Sequence, residues 1–116
     1  MEKLSISYMA IPGIRPLTRK SKVQILFQKL QQLTGITRLE VCNGSRRQEL
    51  SDARKMLASI MYNFLGMKHS AIGLELGLDR TSVIAALKKH NALMFSDKFY
   101  SQQYYDLQDA FTSYIE

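Results

Sequence analysis

Residues 72–89 read IGLELGLDRTSVIAALKK, and the fold turns on what the glycines at 73 and 77 do. Gly77 stops one apolar run. Asp79-Arg80-Thr81-Ser82 then opens a second with four hydrogen-bonding side chains in a row. Counting His69 as the first position of a helix-turn-helix, Gly73 is fifth, Gly77 ninth and Leu78 tenth. Ile72, Leu76, Val83 and Ala86 then hold positions four, eight, fifteen and eighteen. The fifth position faces the second helix at close range and must be small. The ninth turns the chain with positive φ, where glycine costs least. Ile72, Leu76, Leu78 and Val83 fill the angle between the helices. The spacing therefore predicts a helix-turn-helix over residues 69–90.

Outward from this stretch the pattern is helical. Val23, Leu26, Phe27, Leu30 and Leu33 recur at helical spacing and Gly35 ends the run, which predicts a helix over 20–34. Thr37–Glu40 has the Thr-x-x-Glu form of a capping box and predicts a brief second helix. After a turn at 42–45, Leu50, Ala53, Leu57, Ile60, Met61 and Phe64 form one face of a helix ending near Gly66. From Asp97 a last helix carries the stripe Tyr100, Tyr104, Leu107, Phe111 and Tyr114. Pro12, Gly13 and Pro16 discourage helix near the start. The fold class expected is all-α: a helical bundle containing a helix-turn-helix, with an extended N-terminal arm and an extra C-terminal helix. The divisions are an arm over 1–19, a DNA-binding domain over 20–95, and a terminal helix over 96–116. The terminal helix packs on the domain or forms a dimer contact.

With 116 residues, 46% of them hydrophobic, one domain can bury a core without disulfides or metal. The lone Cys42 excludes an internal disulfide and fits a reducing compartment. No signal peptide and no membrane-length apolar run is apparent, so the expected location is cytoplasmic, with no membrane partner. The formal charge is +6, spread unevenly: the basic residues dominate before residue 97, and acids dominate after it. A basic body suits an anionic partner.

In a helix-turn-helix the second helix enters the major groove with its N-terminal residues at base edges. Asp79 caps that helix through the N–H of Thr81 or Ser82. Arg80, Thr81, Ile84, Ala85 and Lys88 then face outward. Arg80 can donate twice to guanine O6 and N7, and the Thr81 methyl can meet a thymine methyl. Ala85 is small enough for close approach, and Lys88 and Lys89 reach phosphates. Arg15, Arg19, Lys20 and Lys22 at the arm can contact flanking phosphates. The alternative is that the arm docks on the core or on a second chain. Catalysis is not expected. His69 and His90 belong to no cluster at metal-ligand spacing, and nothing locates a base for Cys42. No cofactor is expected. His90 is read as the end of the second motif helix, as a cap or core residue.

The stretch from Ser45 to Asn91 also resembles the C-terminal DNA-binding domain of the bacterial replication initiator DnaA, a Trp-repressor-like helix-turn-helix superfamily. The carrying residues are SRR at 45–47, ARKM at 53–56, IG at 72–73 and DRTSV at 79–83, followed by AALKK. With the first helix included, the resemblance covers about residues 20–91. It implies that Arg46 enters the minor groove, with Arg47 beside it. Arg54 and Lys55 would contact phosphates. Lys68, His69 and Ser70 would offer phosphate the N-terminus of the first motif helix. Asp79, Arg80 and Thr81 would read bases, and Ser82 would bond phosphate or base. Two positions depart from the family pattern. Arg80 stands where the family has His, and the turn is one residue shorter. No phosphate-binding loop occurs, so no nucleotide is expected.

The function expected is sequence-specific binding of double-stranded DNA by a replication-initiator-type module without an ATPase, an arrangement that suits a mobile element or phage. Two alternatives stand beside it. One is a dimeric Trp-repressor-like transcription regulator, with the aromatic stripe of the last helix as homodimer surface. The other is a protein-interaction module without DNA.

Overall fold

The computed structural model describes residues 17–115, and all of its regular elements are helices. They are α1 (Arg19–Thr34), α2 (Arg38–Cys42), α3 (Gln48–Asn63), α4 (His69–Leu76), α5 (Arg80–Ser96) and α6 (Lys98–Ile115). The arm expected over 1–19 lies outside the described residues as far as residue 16, including Arg15. Lys20 and Lys22 belong to the first turns of α1. Among the described residues no helix is long and apolar enough to cross a membrane.

Local chemistry sets the ends of the early helices. The Thr18 side chain accepts from Ser21 N–H at 3.1 Å and starts α1. Gly35, at φ 78°, ends it. At α2 the capping box is reciprocal. Thr37 Oγ1 accepts from Glu40 N–H at 3.2 Å, and Glu40 Oε1 accepts from Thr37 N–H at 3.0 Å. Those bonds stabilise the Glu40 carboxylate and hold its pKa below the usual value.

The centre of the molecule is α3. Every residue from Ala53 to Met61 is buried, because α1, α2, α4, α5 and α6 all pack around this helix. Val23, Leu26, Phe27 and Leu30 of α1 meet it from one side. Ile72 and Leu76 of α4 with Val83 of α5 join the same core, as do Tyr100, Tyr104, Leu107 and Phe111 of α6. Arg38 ties three elements together. Its guanidinium pairs with Glu75 at 2.5 Å and lies 4.3 Å from the centroid of the Phe27 ring.

Four sequence expectations are corrected here. First, α3 ends at Asn63, and Phe64 is exposed. Gly66 turns the chain at φ 63°, and Met67 fills the core in place of Phe64. Second, Tyr114 leaves the buried stripe of α6, and its ring lies under Lys29 Nζ at 4.5 Å. Third, α5 does not end at His90 but runs on to Ser96. Fourth, Leu33 in the last turn of α1 is exposed rather than packed. The remaining aromatic stripe of α6 is occupied by the core of its own chain.

Candidate nucleic-acid interface

The corner between α4 and α5 is built on two glycines. A Cβ at Gly73 would lie 2.3 Å from the Leu78 carbonyl oxygen and 3.5 Å from Val83 Cγ2. That space is used: Leu78 N–H donates to Gly73 O at 2.9 Å and closes the turn. Gly77 adopts φ 71°, and a Cβ there would lie 3.0 Å from Cys42 O. Only Gly77, Leu78 and Asp79 separate the two helices. The turn therefore rests directly on the end of α2. The Cys42 thiol adds a bond to Glu75 O at 3.2 Å. Burial raises the thiol pKa, which leaves Cys42 a poor nucleophile.

Asp79 caps α5 by accepting from Ser82 N–H at 2.7 Å. The Ser82 amide, with help from its hydroxyl, keeps the Asp79 carboxyl below the usual carboxylate range. The first turns of α5 then present Arg80, Thr81 and Ser82 to solvent, followed by Ala85, Lys88 and Lys89. Val83 is buried, whereas Ile84, Ala86 and Leu87 are half-buried at the edge of the exposed face. Lys68 is the N-cap of α4 but supplies no side-chain cap, so the first amides of that helix keep no side-chain acceptor. Lys68 and Ser70 are exposed and His69 is half-buried.

The two helix starts converge. An open cleft of about 450 Å³ is bounded by Tyr62, Gly66, Lys68, His69, Ser70 and Arg80. Tyr62 stacks on His69 with ring centroids 5.2 Å apart and planes 7° from parallel. No acidic side chain among the described residues pairs with Lys68, Arg80, Lys88 or Lys89. Tyr62 was not singled out in the sequence. It lies on α3 just past the buried run, and no spacing in the sequence signals its contact with His69, because the two residues belong to different helices.

The other expected residues divide. Arg46 is exposed in the loop that leaves Cys42 beside the α4–α5 turn. That loop is shaped by Gly44 at φ 80° and by Ser45 N–H donating to Asn43 Oδ1 at 2.9 Å. Arg47 faces elsewhere: it pairs with Glu49 at 2.7 Å and lines a groove between α1 and α6. Arg54 and Lys55 are buried, which departs from the surface role expected of them. Arg54 Nε donates to Val41 O at 2.7 Å, while its Nη2 finds no protein acceptor. Lys55 Nζ donates to Ser51 Oγ at 2.8 Å and lies 3.5 Å from Asp52. The physical reason is the central position of α3, which gives it no broad solvent face. Among the described residues there is no group of three side chains able to hold a metal ion.

Of the two roles expected of His90, cap or core, the structure gives the second. It lies two helical turns beyond Val83 on the inward face, with Nδ1 2.6 Å from the Tyr100 hydroxyl. Its ring meets Tyr100 and Tyr104 edge-on. The Tyr104 hydroxyl is 3.4 Å from Ser59 Oγ. Burial pushes both tyrosine hydroxyls up in pKa.

Comparison with protein-family models, with curated proteins and with solved structures finds no match to this chain.

Proposed function

We propose that this protein binds double-stranded DNA sequence-specifically, as a helix-turn-helix with α5 as the recognition helix. The observation that carries the reading is the convergence of the α4 and α5 N-termini on one face whose cations Lys68, Arg80, Lys88 and Lys89 have no acidic partner among the described residues, behind a glycine-dependent turn. Arg80 reads guanine in the major groove, and the Thr81 methyl contacts a neighbouring thymine. Asp79 holds the helix start in place. Ser82, Lys68, His69 and Ser70 meet phosphate, as do Lys88 and Lys89 further along α5. Ala85 allows close approach. Arg46 reaches the adjacent minor groove, where negative potential is highest in a narrow groove. Arg54 and Lys55 have no DNA contact in this reading, and Arg47 has none from its groove. The activity is binding without a catalytic step, cofactor or nucleotide, in the cytoplasm. It suits a replication-initiator-type module or a transcription regulator.

Selection of duplexes from a random pool, followed by fluorescence anisotropy at several salt concentrations, tests this. One motif is expected to enrich, with affinity falling steeply as salt rises. Arg80→Ala weakens the selected site by about 1–3 kcal/mol and relaxes selectivity at one base pair. Lys89→Ala weakens all sequences alike and reduces the salt slope. Enrichment of no motif, or equal losses for both variants on every sequence, would sink the reading. The dimeric reading requires a surface other than the α6 stripe, and an inverted pair of half-sites in the selected DNA would restore it.

A further inference from the structure

A second surface carries the opposite charge. A groove of about 650 Å³ runs between the end of α1, the start of α3 and the first turns of α6. It continues into a hollow of about 210 Å³ between α1 and α6. Phe99 stands 74% exposed at their junction, and Leu33 is exposed opposite it. The chain has 10 acidic residues, of which Glu2 and Glu116 lie outside the described set. Glu40, Glu49, Asp52 and Asp97 line the groove, and Asp106 lines the hollow. Among the described cations only Arg47 lines either, already paired with Glu49. Thus five of the remaining eight carboxylates of a chain with net charge +6 surround one exposed aromatic.

Each carboxylate has a local hydrogen bond. Glu40 completes its capping box, Asp97 accepts from Tyr100 N–H, and Asp106 accepts from Gln102. Those bonds explain why each acid is tolerated on its own helix. They do not explain why acids from α2, α3, the α5–α6 link and α6 gather on one groove. DNA is excluded as occupant, because phosphates would be repelled. Between these polar groups Leu33 and Phe99 expose apolar surface along an open groove, a form that accepts side chains of an amphipathic helix.

We propose that this groove docks a basic amphipathic helix of a partner protein. Large apolar side chains of that helix pack on Phe99 and Leu33, and its flanking Lys or Arg residues face the carboxylates. The argument is charge complementarity, and it does not depend on the DNA-binding reading. Because the whole chain is positive, nonspecific attraction would favour acidic peptides, so a preference for a basic one points to this groove.

The full chain is titrated with a synthetic helical peptide carrying Leu at i, i+4 and i+7 with Lys at the other positions. A control peptide carries Glu for every Lys. Binding is read by anisotropy, and the site by backbone amide chemical shifts. The Lys peptide is expected to bind about tenfold or more tightly than the Glu peptide, with salt weakening it. Shifts should centre on Leu33, Phe99 and Gln103 and leave Arg80 and Thr81 unmoved. Phe99→Ala and Asp106→Lys each weaken the Lys peptide about tenfold, and neither changes duplex affinity. Both substitutions fall on exposed positions, and retained helicity and melting confirm the fold. No binding, equal binding of the two peptides, or shifts centred on α5 would overturn the proposal. Self-association abolished by Asp106→Lys would also overturn it, by making a second copy the occupant.

Discussion

Gly73→Ala unfolds the protein or lowers its stability by about 3 kcal/mol or more. The sign of this effect separates packing from propensity. Gly73 lies inside α4, where Ala would ordinarily gain about 1 kcal/mol over Gly. Against that gain, the new methyl would sit 2.3 Å from the Leu78 carbonyl oxygen. The obstacle is backbone, fixed by its own turn, and cannot swing away as a flexible side chain would. Relief requires α5 to move off α4, which breaks the Leu78 N–H bond to Gly73 O and the contact with Val83. Gly35→Ala provides the scale. It has φ 78° but nothing within 4 Å, so it suffers only the left-handed backbone cost of about 1–2 kcal/mol. Thermal melts of both variants should therefore rank Gly73→Ala far below Gly35→Ala, by roughly 5–15 °C for a domain of this size. A Gly73→Ala protein as stable as the parent would mean that α4 and α5 do not approach closely, and the shared cationic corner would go with them.

The α4–α5 corner was legible because its constraints are short-range in sequence. Gly73, Gly77, Leu78 and Val83 lie within eleven residues, and each spacing has one steric reading. The glycine stop of α1 at Gly35 and the capping box of α2 at Thr37 and Glu40 were legible for the same reason. What surrounds α3 was not. Its apolar residues suggest one buried face, and five neighbouring helices make the other faces interior too. Arg54 and Lys55 look like surface cations in the sequence for that reason, and their roles moved with their burial. Arg47 and Arg46 are adjacent, yet Arg47 is drawn to Glu49 and the acidic groove. That groove was invisible, since Glu40, Glu49, Asp97 and Asp106 come from separate elements and look like unrelated surface acids. His90 was legible as a core residue, since it lies seven residues after the inward Val83, but the continuation of α5 past it to Ser96 was not.

That inward histidine gives the second large effect, a loss of stability on mild acidification. His90 is 4% exposed, and burial lowers its pKa from 6.5 to about 4. The unfolded chain therefore takes up a proton between pH 6.5 and 4 that the folded chain refuses. Its contribution is fully present above pH 6.5, falls as pH drops toward 4, and stays constant below that. A shift of this size corresponds to about 3 kcal/mol at most. The neighbours do not offset it. The Tyr100 and Tyr104 hydroxyls are held neutral by burial, and neither supplies a negative charge for an imidazolium. Glu40 and Asp79 have depressed pKa values, so their contributions persist until lower pH and do not produce this step. Urea unfolding at pH 7, 6, 5 and 4.5 should show a progressive fall in midpoint with an unchanged slope. His90→Gln keeps a side chain able to bond the Tyr100 hydroxyl but removes the titrating group. Its stability at pH 7 drops modestly, and its decline between pH 6.5 and 4.5 becomes much shallower than the parent's. Parallel declines in the two proteins would place the acid-sensitive group elsewhere. An unchanged parent midpoint down to pH 4.5 would mean that His90 accepts its proton without leaving the core.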